Sequence, residues 1–274
     1  MRWFRRAAGL TLSVLAMAGV SIGTTVSSAP ALSHRLVIPF GANKSTNWSG
    51  YNQGSQALGG VLFHQVAGDW TVPTPSQHRA GEAEYSSDWI GIGGGCVNAA
   101  CTVGDNTLIQ TGTEQDIASN GKRTYTAWYE LIPAPETVIP ALIVHPGDRM
   151  HAEVFEQVAG SNVWTIILTD GTTGQTFKTT KPYSSSHLTV EWIQERPTLI
   201  GSGGSTLAPL PALTNPKFDR GRVNRAAAGL KLAQQIQMTN SSGVVIGRPS
   251  APDSDTDGFN ACTYTASCAA PTSS

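Results

Sequence analysis

Two residues of this 274-residue chain carry side chains suited to hydrolysis in short stretches that have little other use for them. Glu191 sits in Thr189-Val190-Glu191-Trp192-Ile193, and Gln110 sits in Leu108-Ile109-Gln110-Thr111-Gly112. Both stretches are rich in β-branched or aromatic residues and read as strands. Alternation puts Thr189, Glu191 and Ile193 on one face and Val190 and Trp192 on the other, and it pairs Leu108 with Gln110. A lone carboxylate inside a strand has to be solvated, paired or used. On the wet face of an antiparallel sheet it is a surface residue; lining a cleft, it is a candidate base.

Amide hydrolysis needs an attacking water, a base for its proton, a donor for the developing oxyanion and an acid for the leaving nitrogen. A carboxylate can take the proton and return it. It must be ionised to begin, and a reference value near ~4.3 points to acid conditions. A neutral amide can bind the same water and then donate its NH₂ group to the oxyanion, and it does not titrate in acid. Glu191 fits the first part and Gln110 the second.

Around these residues the chain has the marks of an exported protein. Arg2, Arg5 and Arg6 precede an uncharged apolar run from Ala7 to Val20, and Ala29-Pro30-Ala31 resembles a small-residue cleavage site. A signal peptide is expected over residues 1–31 and a lead-in or short pro-segment over 32–46. One domain is expected over 47–274, long enough for a sizeable core. The apolar run is too short for a membrane span. Charged residues are 14% of the chain and its net charge is −1. That excludes the basic surface that nucleic acid or an anionic membrane requires. A secreted monomer, soluble once processed, is expected. Four cysteines fall in two local pairs, Cys96 with Cys101 and Cys262 with Cys268. In an exported chain the simplest reading is two short-loop disulfides, although four cysteines allow three connectivities.

Short strand patterns dominate from Asn47 onward. They include Phe63–Val72, Asp88–Gly95, Thr107–Gly112 and Tyr125–Ile132. Hairpins are expected for 141–144 with 150–155, and for 163–169 with 175–180. Turns recur every ten residues or so, the pattern of an all-β sandwich or barrel. Residues 224–238 have a helix-favouring composition, but strand is expected for 235–238 given the rest.

Familiar catalytic motifs are absent: no Gly-x-Ser-x-Gly, no His-Glu-x-x-His, no phosphate-binding Gly-Lys-Ser/Thr. Asp253-Ser254-Asp255-Thr256-Asp257-Gly258 resembles the start of a calcium loop. Tyr264 stands where a bidentate Glu belongs, so a polar turn is preferred over structural calcium at Asp253, Asp255 and Asp257. No other metal or cofactor is expected.

Six short motifs in order resemble the eqolisins, the glutamic peptidases. They are Asn47-Trp48-Ser49-Gly50, Trp70-Thr71-Val72-Pro73, Trp89-Ile90-Gly91-Ile92, Leu108-Ile109-Gln110-Thr111-Gly112, Ala127-Trp128-Tyr129-Glu130 and Val190-Glu191-Trp192-Ile193. The resemblance implies a two-sheet antiparallel β-sandwich of the concanavalin or lectin-like jelly-roll type. It also implies metal-free cleavage of polypeptides at acid pH. On it, Gln110 and Glu191 are the catalytic dyad, Trp48 and Trp89 line the substrate groove, and Glu130 supports the dyad. Two positions depart from the family pattern. Gly93 stands where an Asp usually follows the Trp-x-Gly-Ile stretch, and Glu114 replaces the supporting Asp four residues after the catalytic Gln. The other readings of the same residues are a carbohydrate- or wall-binding β-sandwich using the aromatic groove, and a glycosidase using Glu130 with Glu191. Trp70 and Trp192 are expected in the core.

Overall fold

The computed structural model describes residues 31–39, 43–201 and 204–273; apart from Ala31, the expected leader lies outside them. Among the described residues thirteen strands have five residues or more. They are β1 (Trp48–Gly54), β2 (Gln65–Thr71), β3 (Ser87–Gly93), β4 (Leu108–Ile117), β5 (Arg123–Leu131), β6 (Arg149–Glu156) and β7 (Val163–Asp170). The rest are β8 (Thr176–Pro182), β9 (Thr189–Glu195), β10 (Lys217–Val223), β11 (Gln235–Thr239), β12 (Val245–Pro249) and β13 (Phe259–Thr263). Their hydrogen-bonded order is β8-β7-β6-β2-β10-β13-β12-β11-β1-β9-β3-β4-β5, antiparallel throughout. The path folds back on itself, so the layer β8-β7-β6-β2-β10 faces the layer β1-β9-β3-β4-β5, as in a β-sandwich.

The inward faces supply the main core. Val66 and Trp70 of β2, Val154 of β6 and Ile166 of β7 meet Ile90 and Ile92 of β3, Ile109 of β4, and Val190 and Trp192 of β9. Trp192 donates its indole N–H to the Ala67 carbonyl at 2.9 Å. It closes on Gly68, where a β-carbon would stand 2.8 Å from the indole. Only glycine admits that approach. Trp70 and Trp192 are core residues, as the alternation implies.

Both short-loop disulfides are present, Cys96–Cys101 and Cys262–Cys268. The 163–169/175–180 hairpin forms as β7 and β8. In the stretch of helical composition the structure forms a single 3-10 turn, Leu232–Gln234, followed by β11. The 141–144/150–155 hairpin does not form. β6 is paired on both edges, by β2 and β7, so it has no edge left for residues 141–144. Flanked by Pro140 and Pro146, that stretch stays irregular and buries Leu142 and Val144 in the core. Among the described residues no helix is long and apolar enough to cross a membrane.

The outward face of β1-β9-β3-β4-β5, with the adjoining β11, carries a second apolar cluster of Trp48, Trp89, Leu108, Trp128, Ile193 and Ile236. Leu36 and Val37, from the expected lead-in, pack against it.

Candidate active site

One rung of this sheet crosses four strands. Glu191 of β9 lies opposite Gly91 of β3, Gly91 opposite Gln110 of β4, and Gln110 opposite Glu130 of β5. On the other side Asn52 of β1 lies opposite Glu191. Residues in register point to the same face, so the glutamate and the glutamine project outward together. Gly91 puts no side chain between them. A β-carbon there would lie 3.0 Å from that of Gln110 and 3.0 Å from Leu108 Cδ1.

Gln110 Nε2 donates to Glu130 Oε2 at 2.8 Å. In this arrangement the amide nitrogen faces Glu130 and its second hydrogen is free. Gln110 Oε1, Glu130 Oε1 and both carboxylate oxygens of Glu191 are buried and have no hydrogen-bond partner among the described residues. Unsatisfied polar atoms grouped on one face are unusual in a folded protein and cluster where chemistry is done. Burial holds the Glu191 carboxyl well above the ordinary carboxylate range, and the nearby Asp105 charge pushes the same way. Burial also raises Glu130 to about 8, with the charges of Glu195 and Glu136 adding to it.

Trp48 and Trp89 stand edge to face, 4.8 Å between centroids. Trp89 donates its N–H to Glu195 Oε2 at 2.8 Å. Glu114 is on the same face but outside the rung. It lies four residues from Gln110, about 13 Å along the strand at ~3.3 Å per residue. Thr126 Oγ1 donates to it at 3.0 Å. Position 93 cannot be the family's Asp here. Its φ is +101°, and any β-carbon would collide with the Thr107 carbonyl.

Several residues of this face went unread in the sequence. Glu195 shares the outward side of β9 with Glu191, and simple alternation carried the signal for it. Asp105, next to Glu191, lies in a loop with no pattern of its own. His34 could not be read at all. It is fully buried, stacks on Trp128 at 3.8 Å and 6°, and reaches Glu195 and Glu136, each at 3.1 Å.

The calcium reading changes its members. Asp219, Asp253 and Asp257 have carboxylate oxygens within 4.8 Å of one another, and Asp255 is exposed outside that group. Lys217 Nζ already lies 2.6 Å from Asp219. The glycosidase pair does not hold: Gln110 stands between Glu130 and Glu191, with two strands separating their own.

The fold is that of several solved glutamic peptidases. Scytalido-glutamic peptidase, bound to a transition-state analogue inhibitor, is similar with a TM-score of 0.62 and 20% identity over 80% of this chain and 98% of that one. SCP-B, an eqolisin solved with the tripeptide Ala-Ile-His, gives 0.54 and 18% over 80% and 98%. Aspergilloglutamic peptidase from Aspergillus niger gives 0.53 and 19% over 66% and 99%. No curated protein sequence matches the chain. The Peptidase A4 family model matches residues 46–256, a span that holds the whole rung. The chain therefore belongs to the peptidase A4 family, the eqolisins, and is a peptide-bond hydrolase of the glutamic type.

Proposed function

We propose that the protein is a secreted, acid-acting endopeptidase in which Glu191 and Gln110 form the catalytic dyad. The observation that carries this reading is the rung Glu191–Gly91–Gln110–Glu130, which aims a carboxylate and an oriented amide at one stretch of groove. Glu191 takes the proton of the attacking water and later delivers it to the leaving nitrogen. Gln110 binds the same water and then turns its free N–H to the oxyanion. Trp48 and Trp89 hold the extended substrate. Glu130 sets the amide's orientation, and because burial keeps it neutral up to about pH 8, it accepts from Gln110 without placing a charge beside the oxyanion.

A base must be ionised, whereas burial raises the Glu191 carboxyl well above the ordinary carboxylate range. The segment carrying Leu36 and Val37 lies over the same apolar cluster. Its departure admits water and substrate together and lets the Glu191 carboxyl ionise nearer its ordinary range. The leader and the two disulfides fit an oxidising destination outside the cell. Polypeptides are the substrates, and the reaction uses no metal.

The test is cleavage of a denatured protein between about pH 2 and pH 7 by the wild-type chain and by Glu191→Gln. Pepstatin, a chelator and a serine-protease inhibitor are included. Acid activity that resists all three and disappears in the variant supports the dyad. A Glu191→Gln protein as active as wild type removes it.

A further inference from the structure

Beside the loop that leads into β9, two imidazoles from distant parts of the sequence converge on one carboxylate. His64 immediately precedes β2, Glu156 is the last residue of β6, and His187 lies two residues before β9. His64 Nδ1 stands 2.7 Å from Glu156 Oε2, and His187 Nε2 stands 3.2 Å from the same oxygen. The Gly160 N–H also donates to that oxygen, at 2.7 Å. A carboxylate oxygen offers about two lone pairs. If both imidazoles donate, Oε2 is overfilled; if one does not, its lone pair faces the carboxylate. A cation between the three side chains removes the conflict, because imidazole lone pairs and carboxylate then all point at positive charge.

The geometry is close to what a metal needs. One ligating atom from each residue lies within 4.8 Å of the other two. A tetrahedral zinc ion with bonds of about 2.0–2.1 Å holds its ligand atoms about 3.3 Å apart, so small side-chain rotations suffice. The residues are also held in place from outside the cluster. The Asn162 N–H donates to Glu156 Oε1, completing a main-chain clamp of the kind that supports a ligating carboxylate. The Glu156 N–H donates to the His64 carbonyl at 2.8 Å, and the Phe63 N–H donates to the His187 carbonyl at 3.0 Å. Asn224 Oδ1 accepts from the His64 N–H at 2.8 Å. The buried Trp164 ring stands 5.3 Å from that of His187. The Glu156 side chain is fully buried, whereas that of His64 is 30% exposed, which gives an ion a way in. Two imidazoles with one carboxylate suit zinc better than calcium or magnesium, which take oxygen ligands.

We propose that His64, Glu156 and His187 form a zinc site, with water as the fourth ligand on the exposed side of His64. The ion clamps the start of β2 and the end of β6 to the loop that enters β9. Glu191 lies four residues beyond His187, about 13 Å along extended chain. The ion is therefore a brace for the fold, separate from the dyad, and it takes no part in the hydrolysis.

The test is titration of zinc chloride into the untagged full chain, stripped with a chelator, by isothermal calorimetry at pH 7. One zinc is expected to bind per chain, and Tm is expected to rise with zinc concentration, as for any ligand of the native state. His64→Gln and His187→Gln are each expected to weaken binding by more than about a hundredfold, since loss of even an outer partner costs about ten- to a hundredfold. Asp257→Asn, in the acidic cluster with Asp219 and Asp253, is expected to leave it unchanged. No zinc binding by the wild-type chain, full affinity in either histidine variant, or loss of binding in Asp257→Asn overturns the proposal. A second measurement needs no substitution. X-ray absorption of the zinc-loaded wild-type chain is expected to show two imidazoles in the first shell, at about 2.0–2.1 Å. The cluster of His34, Glu114 and Glu136 would supply one imidazole and the aspartate cluster none, so a shell with fewer than two overturns the assignment.

Discussion

Gln110 and Glu130 face each other from neighbouring strands and share one hydrogen bond, Nε2 to Oε2 at 2.8 Å. An amide left without that acceptor can turn over and present oxygen where a donor is needed. Glu130→Ala is therefore expected to lower kcat by about ten- to a hundredfold with KM little changed, less than the hundred- to thousandfold loss expected for Gln110→Ala. Glu130→Gln retains an acceptor and should recover most of the rate. Steady-state kinetics of the three variants decide this; equal losses in the Ala and Gln variants at position 130 would show that orientation is not what Glu130 supplies.

The rung was legible because every member sits on a strand, where side chains alternate with a period of two. Glu191 and Gln110 could each be placed on a face, and the order of six motifs joined them. The sequence held no information on which strands are neighbours, so that Gly91 lies between the pair, and Glu130 beyond it, appears only in the register. His34 and Asp105 belong to segments without periodicity, where position is set by what they touch. The failed hairpin has the same origin: 141–144 looks like a strand locally, but pairing depends on free edges, and β6 has none.

Gly91 should be intolerant of a single methyl. A β-carbon there meets the Gln110 β-carbon and Leu108 Cδ1 at 3.0 Å and the Ile109 carbonyl at 3.1 Å. Neighbours must give by a few tenths of an ångström, and the residue displaced is the proposed oxyanion donor, Gln110. Overpacking of this kind costs about 1–3 kcal/mol, which a domain of this size survives. Gly91→Ala is expected to stay folded by circular dichroism while losing about a hundredfold or more in kcat/KM, since displacements near 1 Å are that damaging. Wild-type kinetics in this variant would mean that the open rung is incidental.

Glu191 sets activity against stability. In the folded chain burial keeps its carboxyl protonated, whereas in the unfolded chain it ionises near the ordinary value. Above that value the unfolded state gives up a proton that the native state retains, so the residue destabilises the fold increasingly as pH rises. Glu191→Gln abolishes this. Its Tm is expected to exceed wild type at pH 7, by about 2–4 °C for each kcal/mol relieved, and to equal wild type near pH 3. Scanning calorimetry at the two pH values measures it, and a variant less stable at pH 7 would contradict the buried, neutral carboxyl.

The same linkage predicts a fold most stable in acid. Burial raises Asp88 and Asp116 as well as Glu191, and raises Glu130 to about 8. For Glu130 the window runs from about 4.5, its unfolded value, to about 8. At ~1.4 kcal/mol per pH unit, stability falls by an amount on the order of 5 kcal/mol across it. His34 and His151 act in the same direction. Their folded values are raised, so their contribution is complete below the unfolded value of about 6.5 and is lost as pH rises through the folded one. Glu156 and Asp170 oppose this at the acid end. Despite burial, donors including the Gly160 N–H and His64 hold Glu156 low, and Thr172 and Thr173 hold Asp170 low. Their contribution is present above the unfolded carboxylate value and is lost as pH falls through the lowered one. Between these limits Tm should peak near pH 4, decline steadily toward pH 8, and drop again below about pH 3. Thermal melts in steps of one pH unit test the profile. A maximum at pH 7 would show that these buried carboxyls ionise freely in the folded chain, and would contradict the stability profile argued from their burial.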